Sequence, residues 1–292
     1  MFSRLAASLH RWLHHWLHQG MRHELRLYLI ALQFFTRVPV PAWVGYTPEW
    51  MNASARHYPG VGLLVGLWGA AVLALAAAVW PAPVAVGLSM AATIWLTGGF
   101  HEDGLADTCD GLGGAVSRER ALTIMKDSRL GSYGALGLML VLGLKATTLH
   151  GLVEWSLVQA LLAGVWAHAA SRAVPVVLLA WLSYAGDAEH AKAKPMAQQI
   201  SPGGLVAACG WVVALTAGWL VLAAAGAPAR PLLAAVVCAL VGALIGVVLV
   251  TLVCRRWYRL RLGGYTGDTL GAAQQLAEVA ALLGWLALGR LT

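Results

Sequence analysis

Four acidic side chains lie within nine consecutive positions of the chain. They are Glu102, Asp103, Asp107 and Asp110 in GGFHEDGLADTCDGLGG, residues 98–114, whereas all 292 residues include only 13 Asp and Glu. On a continuous helix the three aspartates share one face. Carboxylates held so close together repel one another, and a hard divalent cation removes that cost. Such all-oxygen ligands suit magnesium, calcium or manganese.

A second stretch, IMKDSRLGSYG at residues 124–134, places an acid between two bases. Asp127 follows Lys126 and precedes Arg129. Cations beside a metal-binding acid suit a phosphate ester, because the acid holds the ion while the bases hold the phosphate oxygens. An ordinary loop whose charges neutralise one another is the alternative. The acidic stretch close upstream favours the phosphate site.

Polar residues also interrupt the apolar runs. His168 and Arg172 lie one helical turn apart within such a run. Charge inside a membrane is costly and usually faces a cavity, so we expect Arg172 to reach a polar ligand there. Lys145 either faces a cavity too or extends its ammonium group towards the membrane surface.

A third stretch, GGYTGDT at residues 263–269, precedes an apolar run. Its backbone amides, its hydroxyls and Asp268 stand at a predicted helix start, which is a geometry that receives anions. We therefore take Gly264, Thr266 and Asp268 as candidate substrate ligands. Capping of the helix by Thr266, Asp268 or Thr269 explains the same spacing equally well.

The composition places these motifs in a membrane protein. Apolar residues make up 59% of the chain and charged residues 11%, and the mean hydropathy is +0.69. Soluble domains carry about 25% charged residues. The fold class predicted is all-α, a polytopic integral membrane bundle of helices.

Seven apolar runs approach the length of about 20 residues that crosses the hydrocarbon layer as a helix. They cover residues 61–80, 82–100, 133–153, 155–182, 203–226, 231–254 and 269–291. Residues 25–36 are too short to cross alone, and we expect a re-entrant or interfacial piece ended by Pro39 and Pro41. Residues 1–24 form a predicted amphipathic helix in the membrane interface. Residues 25–292 then form one membrane-embedded catalytic domain.

The basic residues predict the orientation of the spans. Six Arg precede the first span, and the segments 101–132, 183–202 and 255–268 hold most of the other bases. Lys and Arg are retained in cytoplasmic loops. The rule places the N-terminus, these three segments and the candidate site on the cytoplasmic side. It also explains the net charge of +7, so we expect no nucleic-acid partner.

Three ordered motifs resemble the cobalamin synthase family. They are FHEDGLADTCDG at 100–111, MKDSRLGSYG at 125–134 and GGYTGDTLGAAQQLAEVAALL at 263–283. The pieces LQFFTRVPVP and RHYPGVGLLVG near the start are also similar to that family. The resemblance runs from Leu32 to Leu283.

The resemblance implies an adenosylcobinamide-GDP ribazoletransferase of the inner (cytoplasmic) membrane. Such an enzyme requires Mg²⁺ and joins adenosylcobinamide-GDP to α-ribazole or its 5′-phosphate. The products are adenosylcobalamin or its 5′-phosphate, and GMP. The implied partners are these substrates and the lipid bilayer, and we allow for a homo-oligomer of the chain.

Roles for single residues follow from this implied reaction. The metal ligands expected are Asp103, Asp107, Asp110 and Asp127. Lys126 and Arg129, with Arg172 as a third, would bind phosphates. A general base, expected to be a carboxylate of the acidic stretch, would take the proton of the attacking hydroxyl. Asp103 is the first candidate for this base and His101 the second.

Two other functions fit part of the pattern. CDP-alcohol phosphotransferases of phospholipid synthesis have a signature that begins D-x-x-D-G, which Asp107, Asp110 and Gly111 match. The rest departs from it, since Gly114-Ala115 replaces the expected Ala-Arg and Gly131 stands in place of a fourth Asp. A cation transporter would carry its acids near the middle of the bilayer. Here they follow a span, beside bases, which disfavours transport.

Overall fold

The computed structural model describes residues 20–114, 116–186, 196–226 and 230–291, and these residues form a bundle of helices. The helices are α1 (20–35), α2 (Pro48–Ser54), α3 (Tyr58–Ala77), α4 (Ala82–Thr97), α5 (Phe100–Gly113), α6 (Arg118–Met125), α7 (Ser132–Trp155), α8 (Leu157–Ser171), α9 (Ala173–Trp181), α10 (Pro202–Gly226), α11 (Arg230–Leu262) and α12 (Gly267–Gly289). Short 3₁₀ turns occupy Ala42–Val44 and Ala55–His57.

The described residues confirm the predicted all-α membrane bundle. Six stretches are long and apolar enough to cross a membrane, and the bent pair α4–α5 makes seven when it is counted as one span. The six are Pro48–Ala77, Ser132–Trp155, Leu157–Trp181, Pro202–Ala225, Leu233–Leu262 and Gly267–Gly289. Most of the predicted interfacial helix at 1–24 lies outside the described residues. Its last positions belong to α1, which continues across the predicted boundary and ends before Pro39.

The second predicted span does not continue straight into the acidic stretch. Gly98 and Gly99 both have positive φ angles, 72° and 73°, and α5 leaves the direction of α4 at 89°. Glycine adopts this left-handed backbone without the steric cost that a Cβ atom brings. The condition that the second span continues past Phe100 as one helix is therefore not met, because the break falls at these glycines. Within α5, Asp103, Asp107 and Asp110 keep their helical spacing.

The predicted loop at 255–268 is also mostly helical. α11 has 33 residues and ends only at Leu262. At about 1.5 Å per residue, it is roughly 50 Å long, which exceeds a hydrocarbon layer of about 30 Å. Its basic residues therefore stand on a helix that extends beyond the apolar layer. The predicted span ended at residue 254 because charged residues indicate where a chain leaves the membrane. They do not indicate where its helix ends.

Small residues bring the central helices into close contact. A side chain at Gly242 or Gly246 of α11 would run into the backbone of α12, and one at Gly62 or Gly66 of α3 would run into α8. Small residues allow such approach between membrane helices. The spans Leu157–Trp181 and Gly267–Gly289 are the most enclosed, while Pro202–Ala225 is the least buried. Among the described residues, α8 and α12 therefore lie at the centre of the bundle, and each carries several buried polar side chains.

Candidate active site

The first turns of α5 point its acids in different directions. Asp103 is exposed, Asp107 is half-buried, and Glu102 is half-buried against α12, where its Oε1 accepts a hydrogen bond of 3.1 Å from Gln275. Asp103 and Asp107 are one turn apart on the same face. These two side chains are the part of the predicted metal site that α5 presents together.

Asp110 is committed to the start of α7. Its two carboxylate oxygens accept hydrogen bonds of 2.8 Å each from the backbone N–H groups of Gly131 and Gly134. A Cβ atom at either glycine would collide with this carboxylate. The N-cap residue of α7 is Gly131, which has no side chain to accept a hydrogen bond from the first turn. Asp110 therefore caps α7 from the neighbouring helix α5. Its negative charge also interacts favourably with the positive end of the α7 dipole.

Substitution of Asp110 should reveal this structural role. We expect Asp110→Ala to lower the free energy of unfolding by about 1–2 kcal/mol, because two helix N–H groups lose their acceptor. Asp110→Asn keeps one carbonyl acceptor, and its loss should be smaller. Thermal unfolding of the purified variants in detergent measures the order. An alanine variant as stable as the original chain would contradict the capping role.

The described residues hold no larger metal cluster. In the ranges given above, no three His, Cys, Asp or Glu side chains stand close enough to bind one ion together. The predicted set of four metal ligands is therefore not brought together by side chains alone. The capping of α7 explains why Asp110 is turned away, and the assignment of magnesium stays a prediction.

The basic loop lies beside the far end of α5. Met125 at the end of α6 packs on Gly111, and Asp110 holds the loop through Gly131. Lys126 is exposed. The first two motifs are therefore in direct contact.

Asp127 and Arg129 form a pair within this loop. The Arg129 Nε donates to both carboxylate oxygens of Asp127, at 2.9 and 3.1 Å, and the backbone N–H of Arg129 donates at 3.1 Å. The guanidinium hydrogen bonds, with the backbone bond, lower the pKa of Asp127 to about 2. Asp127 is thus ionised at every pH near neutrality, and its negative charge already has a partner.

The third motif contacts the first directly. A Cβ atom at Gly104 of α5 would lie 2.8 Å from the backbone oxygen of Asp268, so the glycine lets the start of α12 touch α5. Thr266 caps α12: its hydroxyl accepts a bond of 3.3 Å from the Thr269 N–H, and the Thr269 hydroxyl accepts one of 2.8 Å from the Thr266 N–H. Of the two interpretations of this motif, the structure shows helix capping at Thr266.

Gly264 also has a structural task. Its missing side chain gives room to the backbone of Ser183, and Tyr265 pairs there with residues 183–185. Two arginines that sequence reasoning passed over reinforce the same region. Arg118 donates to the backbone oxygens of Leu262 and Ala185, and Arg261 donates to those of Leu112 and Gly114. These bonds join the end of α11 to the start of α6 and to the end of α5.

Beneath α5 lies a buried polar cavity. It is lined by Val65, Thr93, Thr97, His101, Glu102, Lys145, His168, Arg172, Gln275 and Glu278. Lys145 and His168 both pair with Glu278, the latter at 3.2 Å between Nδ1 and Oε2. Gln274 donates to the same carboxylate at 2.7 Å. Of the two possibilities for Lys145, the structure shows the one in which it faces a cavity.

Two predicted site residues lie in this cavity. Arg172 is almost fully buried and donates to the backbone oxygen of His168 at 2.9 Å. His101 is also buried and stacks on Phe35, with ring centroids 5.2 Å apart. Both therefore lie apart from the exposed face of Asp103. Their assigned roles as phosphate ligand and second base stay predictions.

The sequence did not single out Gln274, Gln275 and Glu278. All three are buried, and Glu278 is the acid at the centre of the cavity's ion pairs. One signal could have found them, because QQLAE is a polar group within an otherwise apolar span. Polar residues in membrane spans usually face the interior of the bundle and mark functional sites.

Comparison with known proteins assigns the chain to a family. The family model described as cobalamin-5-phosphate synthase matches residues 27–286. An adenosylcobinamide-GDP ribazoletransferase of Leptothrix cholodnii is 71% identical over 91% of this chain and 96% of its own length. Proteins of the same name from Polaromonas naphthalenivorans and Shewanella amazonensis are each 44% identical over 90% of the chain, covering 98% and 95% of their own lengths. No solved structure matches the chain.

The match covers all three motifs and every helix from α2 to α11, together with most of α12. It therefore spans the acidic helix, the basic loop and the polar cavity. The relatives that share this whole length are named as transferases. The chain belongs to the cobalamin-5-phosphate synthase family and is an enzyme of the transferase class.

Proposed function

We propose that the chain joins adenosylcobinamide-GDP to α-ribazole, or to its 5′-phosphate, and releases GMP. The names of the relatives supply the first substrate. The observation that carries the proposal is the meeting of three motifs around α5. Gly104 contacts the backbone of Asp268, and Asp110 binds the loop that follows Lys126 and Asp127. Acids, bases and a helix start thus meet along α5, and these are the groups that a transfer at a pyrophosphate can use.

The donor set on α5 fits magnesium. Magnesium is commonly bound through one or two carboxylates together with substrate phosphates. Asp103 and Asp107 provide two carboxylates one turn apart on the same face of α5. Asp103 and Asp107 would therefore hold the ion. When bound, magnesium would neutralise the negative charge that develops on the phosphates.

The protein's own groups would carry out three tasks. A ribose hydroxyl attacks the phosphorus attached to cobinamide, and the bond from that phosphorus to the oxygen of GMP breaks. Asp103 would take the hydroxyl proton, since its carboxylate is exposed while the ring of His101 is buried. Lys126, exposed at the end of α6, would contact phosphate oxygens. The start of α12 offers backbone N–H groups to a phosphate as well.

We further propose that the enzyme lies in the inner membrane with this surface towards the cytoplasm. The candidate spans support a multi-pass membrane protein. The basic residues cluster in the segments that join spans on the side of α5 and the start of α12. Such clusters are retained in the cytoplasm. The substrates are soluble in water and would arrive from that side.

The proposal is tested with the purified full chain in lipid nanodiscs. Supplied with adenosylcobinamide-GDP, α-ribazole and magnesium, it should release GMP and form a cobalamin in equal amounts. Parallel reactions with α-ribazole 5′-phosphate identify the preferred acceptor, and chelation of magnesium should stop both reactions. A parallel assay with a CDP-linked lipid tests the phospholipid alternative. Release of CMP there, without any GMP in the first assay, would overturn the proposal.

A further inference from the structure

The outward face of α11 changes from apolar to basic along the helix. Arg255, Arg256 and Arg259 are all exposed, and at about 100° per residue they lie within one arc of about 100°. Nearer the start of α11, the same arc holds five apolar side chains that are each 40–50% exposed: Val237, Val241, Ile245, Val248 and Leu252. The opposite side of the helix packs closely on α12. One face of α11 therefore presents an apolar stripe that leads to three guanidinium groups.

These arginines lie at the level of the lipid headgroups. The stretch from Leu233 to Cys254 contains no charged residue. At about 1.5 Å per residue this stretch is roughly 33 Å long, whereas the hydrocarbon layer is about 30 Å thick. Arg255 therefore stands where the hydrocarbon ends. Arg259 stands one turn further out, in the layer that contains the phosphates of phospholipids.

The protein leaves these three guanidinium groups available to a group from outside. In the described part of the chain, none of them forms an ion pair with a carboxylate. Arg255 lies over the ring of Trp181, 5.0 Å from its centroid, and this ring is itself 48% exposed. Tryptophan is enriched at the interface between membrane and water. Arg261 differs, because it is turned inwards and donates to backbone oxygens at the end of α5.

We propose that this outward face of α11 binds an anionic phospholipid. The guanidinium groups would donate to the headgroup phosphate, whose oxygens they match in pairs. The acyl chains would lie along the apolar stripe. Basic residues are common at the cytoplasmic end of a span, but here they continue the exposed apolar face itself. A nucleotide has the same phosphate oxygens and no part that would cover the stripe, so a lipid suits the whole face.

Lipid binding by the purified full chain tests this site. The chain in detergent micelles is titrated separately with phosphatidylglycerol, phosphatidylcholine and GMP, and native mass spectrometry measures the bound molecules. Phosphatidylglycerol should bind more tightly than phosphatidylcholine, whose ammonium group offsets its phosphate. One arginine near an anionic headgroup contributes about fivefold to binding. Arg259→Gln should therefore weaken phosphatidylglycerol binding about fivefold, and replacement of all three arginines by Gln should weaken it about a hundredfold.

Two further variants separate charge at this face from charge in general. Replacement of the same three arginines by Lys keeps the charge, and it should lose far less affinity than the replacement by Gln. Arg290→Gln removes an exposed arginine at the far end of α12, on the opposite side of the bundle, and should not change binding. Thermal unfolding establishes that each variant is folded. If the triple Gln variant does not fold, Arg259→Gln still provides the test.

Three results would overturn the proposed lipid site without touching the proposed reaction. The first is unchanged phosphatidylglycerol binding in the folded Gln variants. The second is equal binding of the two lipids by the original chain, or an equal loss in Arg290→Gln, because either indicates attraction without a site. The third is weaker GMP binding with unchanged lipid binding, which would assign these arginines to a nucleotide.

Discussion

Asp107→Ala is expected to lower the rate of GMP release by about a hundredfold or more while the protein stays folded. Of the four predicted metal ligands, Asp103 and Asp107 stand one turn apart on α5, whereas the carboxylate of Asp110 caps α7 and Asp127 lies in the loop after α6. A metal ion that neutralises phosphate charge contributes several kcal/mol to the transition state, and a factor of ten in rate is about 1.4 kcal/mol. Removal of one ligand from a two-carboxylate site should therefore nearly abolish turnover.

The measurement is turnover against magnesium concentration, for the original chain and the variant. Asp107→Ala should need more magnesium for half-maximal activity and should stay slow when magnesium is saturating. Glu119→Ala is the control, because Glu119 is an exposed acid on neighbouring α6 that has no proposed role. Near-normal turnover of Asp107→Ala at saturating magnesium would remove Asp107 from the metal site.

The second large effect concerns stability. Glu278→Gln is expected to lower the free energy of unfolding by about 3–5 kcal/mol, because it leaves a buried cation without its counter-charge. Glu278 is 1% exposed, and both Lys145 and His168 pair with its carboxylate. Lys145→Met should be similarly costly. The double variant should lose less than the sum, because it leaves neither charge of that pair alone.

Chemical or thermal unfolding in one detergent gives the four values of this cycle. Glu154→Gln serves as the control, since Glu154 is an exposed acid on α7, the helix that carries Lys145. Losses in Glu278→Gln no greater than those in Glu154→Gln would show that the buried pair contributes nothing to stability. Additive losses in the double variant would show that the two groups do not interact.

The two roles of the acidic stretch show where sequence reasoning reached its limit. Spacing alone put Asp103, Asp107 and Asp110 on one helix face, and α5 keeps that spacing. Whether three acids share an ion or one of them caps a helix depends on what packs opposite. Here Gly131 and Gly134 bring the start of α7 onto Asp110. The sequence contains these glycines, but it does not predict that they contact Asp110.

The buried cavity shows the same limit more strongly. His168 and Arg172 could be assigned to a cavity, because charge in a membrane span must face one. Their partners come from other helices, since Glu278 lies on α12 and Lys145 on α7. Because these residues are far apart in the chain, no periodic pattern in the sequence could predict that they form ion pairs.

The sequence by itself determined the membrane class, most of the spans and the family. Apolar runs about as long as the hydrocarbon layer is thick and three ordered motifs are local signals, and each can be recognised in the sequence without knowledge of its neighbours in space. Only the tertiary structure decided the bend at Gly98–Gly99, the capping of α7 by Asp110 and the meeting of Glu102, Arg172 and Gln275 at one cavity. The physical reason is that a side chain's role is set by the groups that satisfy its charge and hydrogen bonds. In a helical bundle those groups come from other helices.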